Sequence, residues 1–319
     1  MYSPSIVVLF TSYRCNARCI MCGAWRKQHK YPELSPSDIG KIFSDKVLSR
    51  SIKVVNLTGG EPTLRKDLVA VMKALVASCI NLERIDISTN GIRSEEVVDT
   101  IEQALAFLLP HKVKLGVSIS LDGIGRTHDE VRGTPGAFEG VEKSIPELKE
   151  LMRLYPWFSV GLNFTINRDN CHDLDNVFKY SLSQGLGANF TLAADSEIGV
   201  ESLSVSRGFG LDEKQKKTVS EFIRKLKDSG HLHAQYADFM LYWLACGIRH
   251  GPCAFQKGMS ILCEPDGNAY ACGNFKDFHI GNILKKPFSE NIIPKKKFDA
   301  SYKNQCVHCD SNCYIESAR

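Results

Sequence analysis

The sequence predicts an α/β fold: a parallel sheet or partial barrel of six βα units, followed by a smaller C-terminal part with a β-hairpin. Three observations carry this. Six short runs dense in Val, Ile, Leu and Phe recur at residues 6–11, 53–58, 84–89, 114–120, 158–165 and 188–193, the pattern of buried parallel strands. Between them, at 35–49, 64–78, 95–109, 137–154 and 171–184, apolar residues fall at helical spacing. Beyond about residue 200 this rhythm stops and a different one begins.

Taken in order, the first strand runs straight into a cysteine-rich loop. Ser35-Pro36 opens the first helix, with serine as the cap and proline in the first turn. Ser94-Glu95-Glu96 opens another, its carboxylates placed against the positive end of the helix dipole. Strands joined by crossover helices give repeated βαβ units and hence a parallel sheet. Residues 211–229 read as a charged amphipathic helix and 231–248 as a second with an aromatic stripe. The runs at 259–263 and 268–272 flank Glu264-Pro265-Asp266-Gly267, a tight turn in which proline presets φ and glycine permits φ > 0. Residues 287–319 are lysine-rich and hold little apolar material besides cysteines; such a segment is hard to order without a metal.

The chain has 319 residues and a formal net charge of +4, too small and dispersed to argue for nucleic acid. No apolar run reaches the ~20 residues of a membrane helix, and the start lacks a basic, small-residue export signal. The expectation is a cytoplasmic protein with neither nucleic acid nor membrane as partner. Its twelve cysteines are therefore read as metal or redox ligands rather than disulfides. Three lie at 15–22 and six at 253–313.

Cys15-x3-Cys19-x2-Cys22 puts three thiols at i, i+4 and i+7. Three soft ligands without a fourth suit an iron–sulfur cluster with one open iron, whereas zinc asks for four ligands or three and a water. The polar neighbours Arg14, Asn16 and Arg18 argue against three buried core residues. Cys79 and Cys171, in helical contexts, read as buried small residues, and Cys263 as a strand residue facing the core or a cluster.

That triplet, with Thr58-Gly59-Gly60-Glu61-Pro62, Ser88-Thr89-Asn90-Gly91 and Ser118-Ile119-Ser120-Leu121-Asp122-Gly123 each at the end of a strand, resembles the radical S-adenosylmethionine (SAM) superfamily. The resemblance covers essentially the whole chain, with Met21 where the family usually has an aromatic residue. It implies a partial (β/α)6 TIM barrel over residues 1–229 with its site at the C-terminal ends of the strands. It further implies that Cys15, Cys19 and Cys22 hold a 4Fe–4S cluster whose open iron is chelated by SAM. Gly59, Gly60 and Glu61 would receive the SAM amino group, and Ser118, Ser120 and Asn163 would lie near its ribose or carboxylate. Reductive cleavage would then release a 5′-deoxyadenosyl radical that abstracts hydrogen from a substrate C–H bond, with a flavodoxin or ferredoxin as electron donor.

Cys253, Gly267, Cys272 and the later Cys306-x2-Cys309-x3-Cys313 resemble the SPASM/Twitch extension of the same superfamily. This implies a C-terminal, hairpin-containing Fe–S domain over residues 230–319 with a second, auxiliary 4Fe–4S cluster. Its ligands would be Cys253, Cys272, Cys306 and Cys309, with Cys313 as substitute; a zinc knuckle is the plainer alternative. Cys246, just ahead of these ligands, reads as a packed helix residue or, as in radical SAM epimerases, the donor that returns a hydrogen atom to the substrate radical. Arg132, within Asp129–Gly136, reads either as a SAM or substrate contact or as part of a capping turn. Asp195, Glu197 and Arg207 could read a polar substrate, and His231, His233 and Tyr236 default to a solvated helix face.

With 14 residues before Cys15, no fused leader-recognition domain is expected there. That leans toward dehydrogenation or epimerisation of a carbohydrate or aminoglycoside-like small molecule, with a radical SAM maturase acting on a short peptide as the alternative. A non-catalytic Fe–S or zinc redox sensor or scaffold is the rival from another class; it would have no use for the Gly59-Gly60-Glu61-Pro62 motif.

Overall fold

The structure, a computed structural model, describes residues 3–28, 31–193, 210–251, 253–291 and 306. Asp195, Glu197, Arg207, Cys309 and Cys313 lie outside the described residues. Six parallel strands follow one another in sequence and in space: β1 (Ile6–Ser12), β2 (Val54–Gly59), β3 (Arg84–Thr89), β4 (Lys114–Ser120), β5 (Phe158–Ile166) and β6 (Gly187–Leu192). Their ends fall within one residue of the expected ones. The helices between them are α1 (Pro36–Phe43), α2 (Leu48–Ser51), α3 (Leu68–Ser78), α4 (Ser94–Leu108), α5 (Arg126–Arg132), α6 (Ala137–Leu154) and α7 (Leu174–Gln184). This is the expected partial barrel, open beyond β6. No helix among the described residues is long and apolar enough to cross a membrane.

Local chemistry explains where helices depart from the expected spans. The single helix expected over 35–49 is two. The Ser44 hydroxyl turns back to Gly40 O at 2.7 Å, and Asp45 Oδ1 accepts the N–H groups of Val47 and Leu48 at 2.9 and 3.2 Å, starting a new turn. At the start of α1, Ser35 and Asp38 form a capping box around Pro36. Ser94 is already inside α4 rather than its cap. The stretch after Glu61 begins as a 3₁₀ turn, Pro62–Leu64, before α3.

After β6, α8 (Glu213–Asp228) and α9 (Ala234–Cys246) pack together. The chain then returns to the sheet. β7 (Ser260–Cys263) pairs parallel with the free edge of β1, and β8 (Asn268–Tyr270) and β9 (His279–Asn282) continue antiparallel. The expected hairpin is β7–β8, and it extends the barrel sheet directly. The sheet order is β6-β5-β4-β3-β2-β1-β7-β8-β9.

One face of the sheet is mostly apolar. Val7, Leu9, Leu57, Ile87, Leu115, Ile119, Leu162 and Phe190 are buried there with the helices. Cys79, Cys171 and Cys263 are buried in the same core, as small apolar residues are. Tyr236, expected on a solvated face, is instead buried, its hydroxyl donating to Phe190 O at 3.1 Å: the aromatic stripe of α9 faces the core.

Candidate functional site

The loop after β1 carries Cys15 and Cys22 half-buried and Cys19 buried. Burial pushes the Cys15 thiol up to about 12 and Cys22 to about 11, and raises Cys19. Thiols in such a place ionise only if a positive centre compensates. Among the described residues no three His, Cys, Asp or Glu side chains converge as ligands of one ion. An iron–sulfur cubane makes no such demand, since each thiolate takes a different iron. Three soft sulfur donors on one loop, each within electrostatic reach of another, fit that group.

Gly59 and Gly60 bring the end of β2 against this loop. Gly60 N–H donates to Ser12 O and Glu61 N–H to Arg14 O, both at 2.7 Å. A Cβ at Gly59 would meet Ser12 O at 2.2 Å and one at Gly60 would meet Arg14 O at 2.1 Å, so only glycine permits the approach. Glu61 is turned inward, with 2% of its surface exposed. Its Oε1 accepts from Thr63 N at 3.1 Å, Thr63 Oγ1 at 2.8 Å and Thr89 Oγ1 at 2.9 Å, and its Oε2 from Asn90 N at 2.7 Å. Burial raises its carboxyl against the pull of those donors. Asn90 passes the link onward, donating to Asn16 Oδ1 at 2.8 Å and lying 3.9 Å from Cys15 Sγ. Asn90 belongs to the Ser88–Gly91 motif visible in the sequence, but its tie to the cysteine loop is visible only in the fold.

The sheet face opposite the apolar core is divided. At β1 and β7 it is apolar, where Val8, Phe10, Leu262, Phe255, Tyr270 and Cys253 pack together. From β2 to β6 it is polar. Register aligns Phe10 with Thr58, Ser88 with Ser118 and Gly161, and Ser120 with Asn163 and Asn189. Ser118, Ser120 and Asn163 are half-buried and share this face, and Asn189 donates to Asn163 Oδ1 at 3.0 Å. Deeper along it, Arg84 Nε donates to Asp86 Oδ1 at 2.7 Å. The pair lies across Gly116, where a Cβ would meet both side chains within 2.2 Å.

α5, unanticipated as a helix, closes the other side of the cysteine loop. Asp129 caps the following turn, its carboxylate accepting from Gly136 N at 2.7 Å and Phe138 N at 2.8 Å. Arg132 instead turns inward to Asp122 and Cys19. From the hairpin side, Tyr13 donates to the buried Glu264 at 2.5 Å. Cys253 and Cys272 are buried and Cys306 is half-buried. Cys246 is exposed on the last turn of α9. His231 is also exposed, its Nδ1 2.9 Å from Ser229 Oγ.

Comparison with known proteins finds a family and several relatives. The model of the Radical SAM superfamily matches residues 9–177. Fe-coproporphyrin III synthase of Methanosarcina barkeri is 28% identical, over 95% of this chain and 80% of the relative. A probable GTP 3′,8-cyclase of Saccharolobus solfataricus is 30% identical over 88% and 87%. Sporulation killing factor maturation protein SkfB of Bacillus subtilis is 29% identical over 58% and 41%. Among solved structures, native anSMEcpe with bound AdoMet shares the fold with a TM-score of 0.64 at 18% identity, covering 95% of this chain and 83% of that one.

Proposed function

Because the chain belongs to the radical SAM superfamily, whose members use a 4Fe–4S cluster and SAM, we propose that Cys15, Cys19 and Cys22 ligate that cluster. In this reading the chain abstracts hydrogen from a C–H bond of a polar, hydrogen-bonding substrate. The cluster and SAM, when bound, supply a one-electron reduction that breaks a C–S bond and yields the 5′-deoxyadenosyl radical. The chain's residues bind and orient. Gly59 and Gly60 offer main-chain groups to the SAM amino end. Glu61, whose carboxylate already holds four donors, shapes that turn from behind. Ser118, Ser120 and Asn163 offer hydroxyl and amide groups to the ribose or carboxylate.

The observation that carries the substrate class is the rest of the polar face from β2 to β6, where Thr58, Ser88 and Asn189 stand in register beside the residues given to SAM. Small hydroxyl and amide side chains there suit a carbohydrate or aminoglycoside-like molecule better than a large apolar ring. A short peptide is the second reading, supported by the likeness to the maturation protein SkfB.

In the same reading, residues 230–319 form a SPASM/Twitch-like part. Cys253, Cys272, Cys306 and Cys309, with Cys313 as substitute, hold an auxiliary 4Fe–4S cluster. Such a cluster would supply an acceptor for the substrate radical's electron, which with loss of a proton gives dehydrogenation; a hydrogen atom returned by Cys246 would give epimerisation instead. A flavodoxin or ferredoxin supplies the first electron. Iron and sulfide counted after anaerobic reconstitution of the Cys15/Cys19/Cys22→Ala triple variant test the division. About four irons remaining support a second cluster in the tail, and near-zero iron in a folded variant removes it. Incorporation of one solvent deuterium into product, abolished by Cys246→Ala, marks the epimerase; product without solvent hydrogen marks the dehydrogenase.

A further inference from the structure

α5 is seven residues long and lies between two glycines of positive φ, Gly125 at 56° and Gly133 at 57°. Its C-terminal end abuts the cysteine loop so closely that a Cβ on Gly133 would meet Arg18 O at 2.5 Å. Two main-chain bonds join the pieces: Arg18 N–H to Arg132 O and Ile20 N–H to Val131 O, both 2.9 Å. They bracket Cys19. From this fixed backbone the Arg132 side chain reaches inward, with Nη1 3.6 Å from Cys19 Sγ and Nη2 2.5 Å from Asp122 Oδ2.

Asp122 is itself immobilised. Its Oδ1 accepts Thr165 N–H at 2.7 Å, and its own N–H donates to His128 Nδ1 at 3.0 Å. The Asp122 side chain has no exposed surface and that of Arg132 has 9%. An ion pair this buried contributes little net stability, because desolvating two charges offsets their attraction. Its geometry needs another reason. A guanidinium presents five donors in a rigid fork. Here one arm is anchored on a carboxylate and another faces a single sulfur, while Arg132 Nε has no hydrogen-bond partner.

We propose that Arg132, aimed by Asp122, is a positioning residue that raises the reduction potential of the cluster through the Cys19 sulfur. The inference rests on the reading of Cys19 as a cluster ligand. Reduction adds one negative charge to the cluster. An N–H···S hydrogen bond and a cation beside the ligand sulfur stabilise that charge, and partners of this kind tune a metal centre without touching it. Asp122, of opposite sign, holds the fork in place, and by its own charge opposes the effect.

The test is a reductive titration of the anaerobically reconstituted full chain, following the reduced-cluster EPR signal that responds to added SAM, with iron counted in each sample. Arg132→Gln is expected to keep its iron and move the midpoint to more negative potential. Arg132→Lys, which keeps the charge but loses the fork, is expected to move it less in the same direction. Asp122→Asn removes the opposing negative charge but keeps a side-chain oxygen to accept from the Arg132 fork, so it is expected to move the midpoint to more positive potential. Opposite signs are the signature, because a merely structural role moves both sites alike or neither. Unchanged midpoints, or shifts of one sign in the Arg132 and Asp122 variants, overturn the proposal. If Arg132→Gln does not fold, the Arg132→Lys and Asp122→Asn pair gives the same decision. Cys19→Ala separates the two levels. Loss of the SAM-responsive signal in that variant upholds the ligand reading and leaves the midpoints to judge Arg132. Its persistence overturns the ligand reading, and this inference with it.

Discussion

The hydroxyl of Tyr13 donates to the carboxylate of Glu264 at 2.5 Å, joining residues 251 apart in sequence. Tyr13 sits two residues before the first cysteine of the loop, and Glu264 follows the last residue of β7. Tyr270 donates to the other carboxylate oxygen at 3.2 Å, and the Lys27 ammonium lies over the Tyr13 ring at 5.3 Å. Burial and the Glu264 charge raise both phenols, keeping them protonated as donors. The C-terminal hairpin is thus clamped to the cysteine loop as well as to β1.

Tyr13→Phe removes the shorter of these two bonds and leaves one oxygen of a buried carboxylate without that donor. We expect a loss of about 1–3 kcal/mol, and a smaller loss for Tyr270→Phe, whose bond is longer. Urea unfolding of the two variants beside the wild type checks the order. Equal stability of Tyr13→Phe and wild type would remove the clamp from the account.

Glu61→Gln puts an amide where four donors converge. At least one N–H or O–H then faces the new NH₂ group. The expected cost is about 2 kcal/mol, together with weaker SAM binding because the turn at Gly59-Gly60 loses its brace. Isothermal titration with SAM and urea unfolding measure the two effects. A variant of unchanged stability would mean that those hydrogen bonds carry little.

Gly60→Ala and Gly187→Ala make a matched pair. The first drives a Cβ into Arg14 O at 2.1 Å, while the second meets nothing within 4 Å. Neither glycine has positive φ, so space alone separates them. Gly60→Ala should lose iron and SAM binding together, because β2 and the cysteine loop must part. Gly187→Ala should stay within about 0.5 kcal/mol of the wild type. Iron content and SAM binding of the two proteins, measured side by side, decide it.

Sequence pattern was most informative where a local rule operates. The strands of the barrel were legible because their Val, Ile, Leu and Phe runs leave no competing period, and the ends of the strands located the cysteine loop and Gly59-Gly60-Glu61. The hydrogen bonds that hold Glu61 were not legible: no local pattern shows that Thr63, Thr89 and Asn90 converge on its carboxylate. α5 was missed because seven residues between glycines are too short to show a helical period. The parallel docking of β7 on β1 and the Tyr13–Glu264 bond are contacts between chain ends, which no window of neighbouring residues reports. The break between α1 and α2 comes from Ser44 and Asp45 bonding to nearby backbone, a choice that apolar spacing does not record.

His128 gives a pH dependence. Burial, assisted by the Arg132 charge, lowers its folded value from 6.5 to about 3, and its Nδ1 accepts Asp122 N–H at 3.0 Å, which a proton there would break. Below pH 6.5 the unfolded chain takes up a proton that the folded chain refuses until about pH 3. The stability from this group is therefore complete above pH 6.5 and declines as pH falls, by up to about 1.4 kcal/mol per unit. His128→Asn keeps an acceptor and removes the titration. Urea unfolding at several pH values between about 5 and 8 should show the wild type losing stability toward acid faster than the variant; parallel curves would contradict this.

The central claim is that the loop bearing Cys15, Cys19 and Cys22 is where SAM is reductively cleaved. Its most direct test is the yield of 5′-deoxyadenosine from the anaerobically reconstituted, chemically reduced protein supplied with SAM, wild type against the Cys15/Cys19/Cys22→Ala variant. The account predicts 5′-deoxyadenosine from the wild type and none from the variant, whatever iron the variant retains. Equal yields from both, or none from a wild type holding its full cluster, would contradict it.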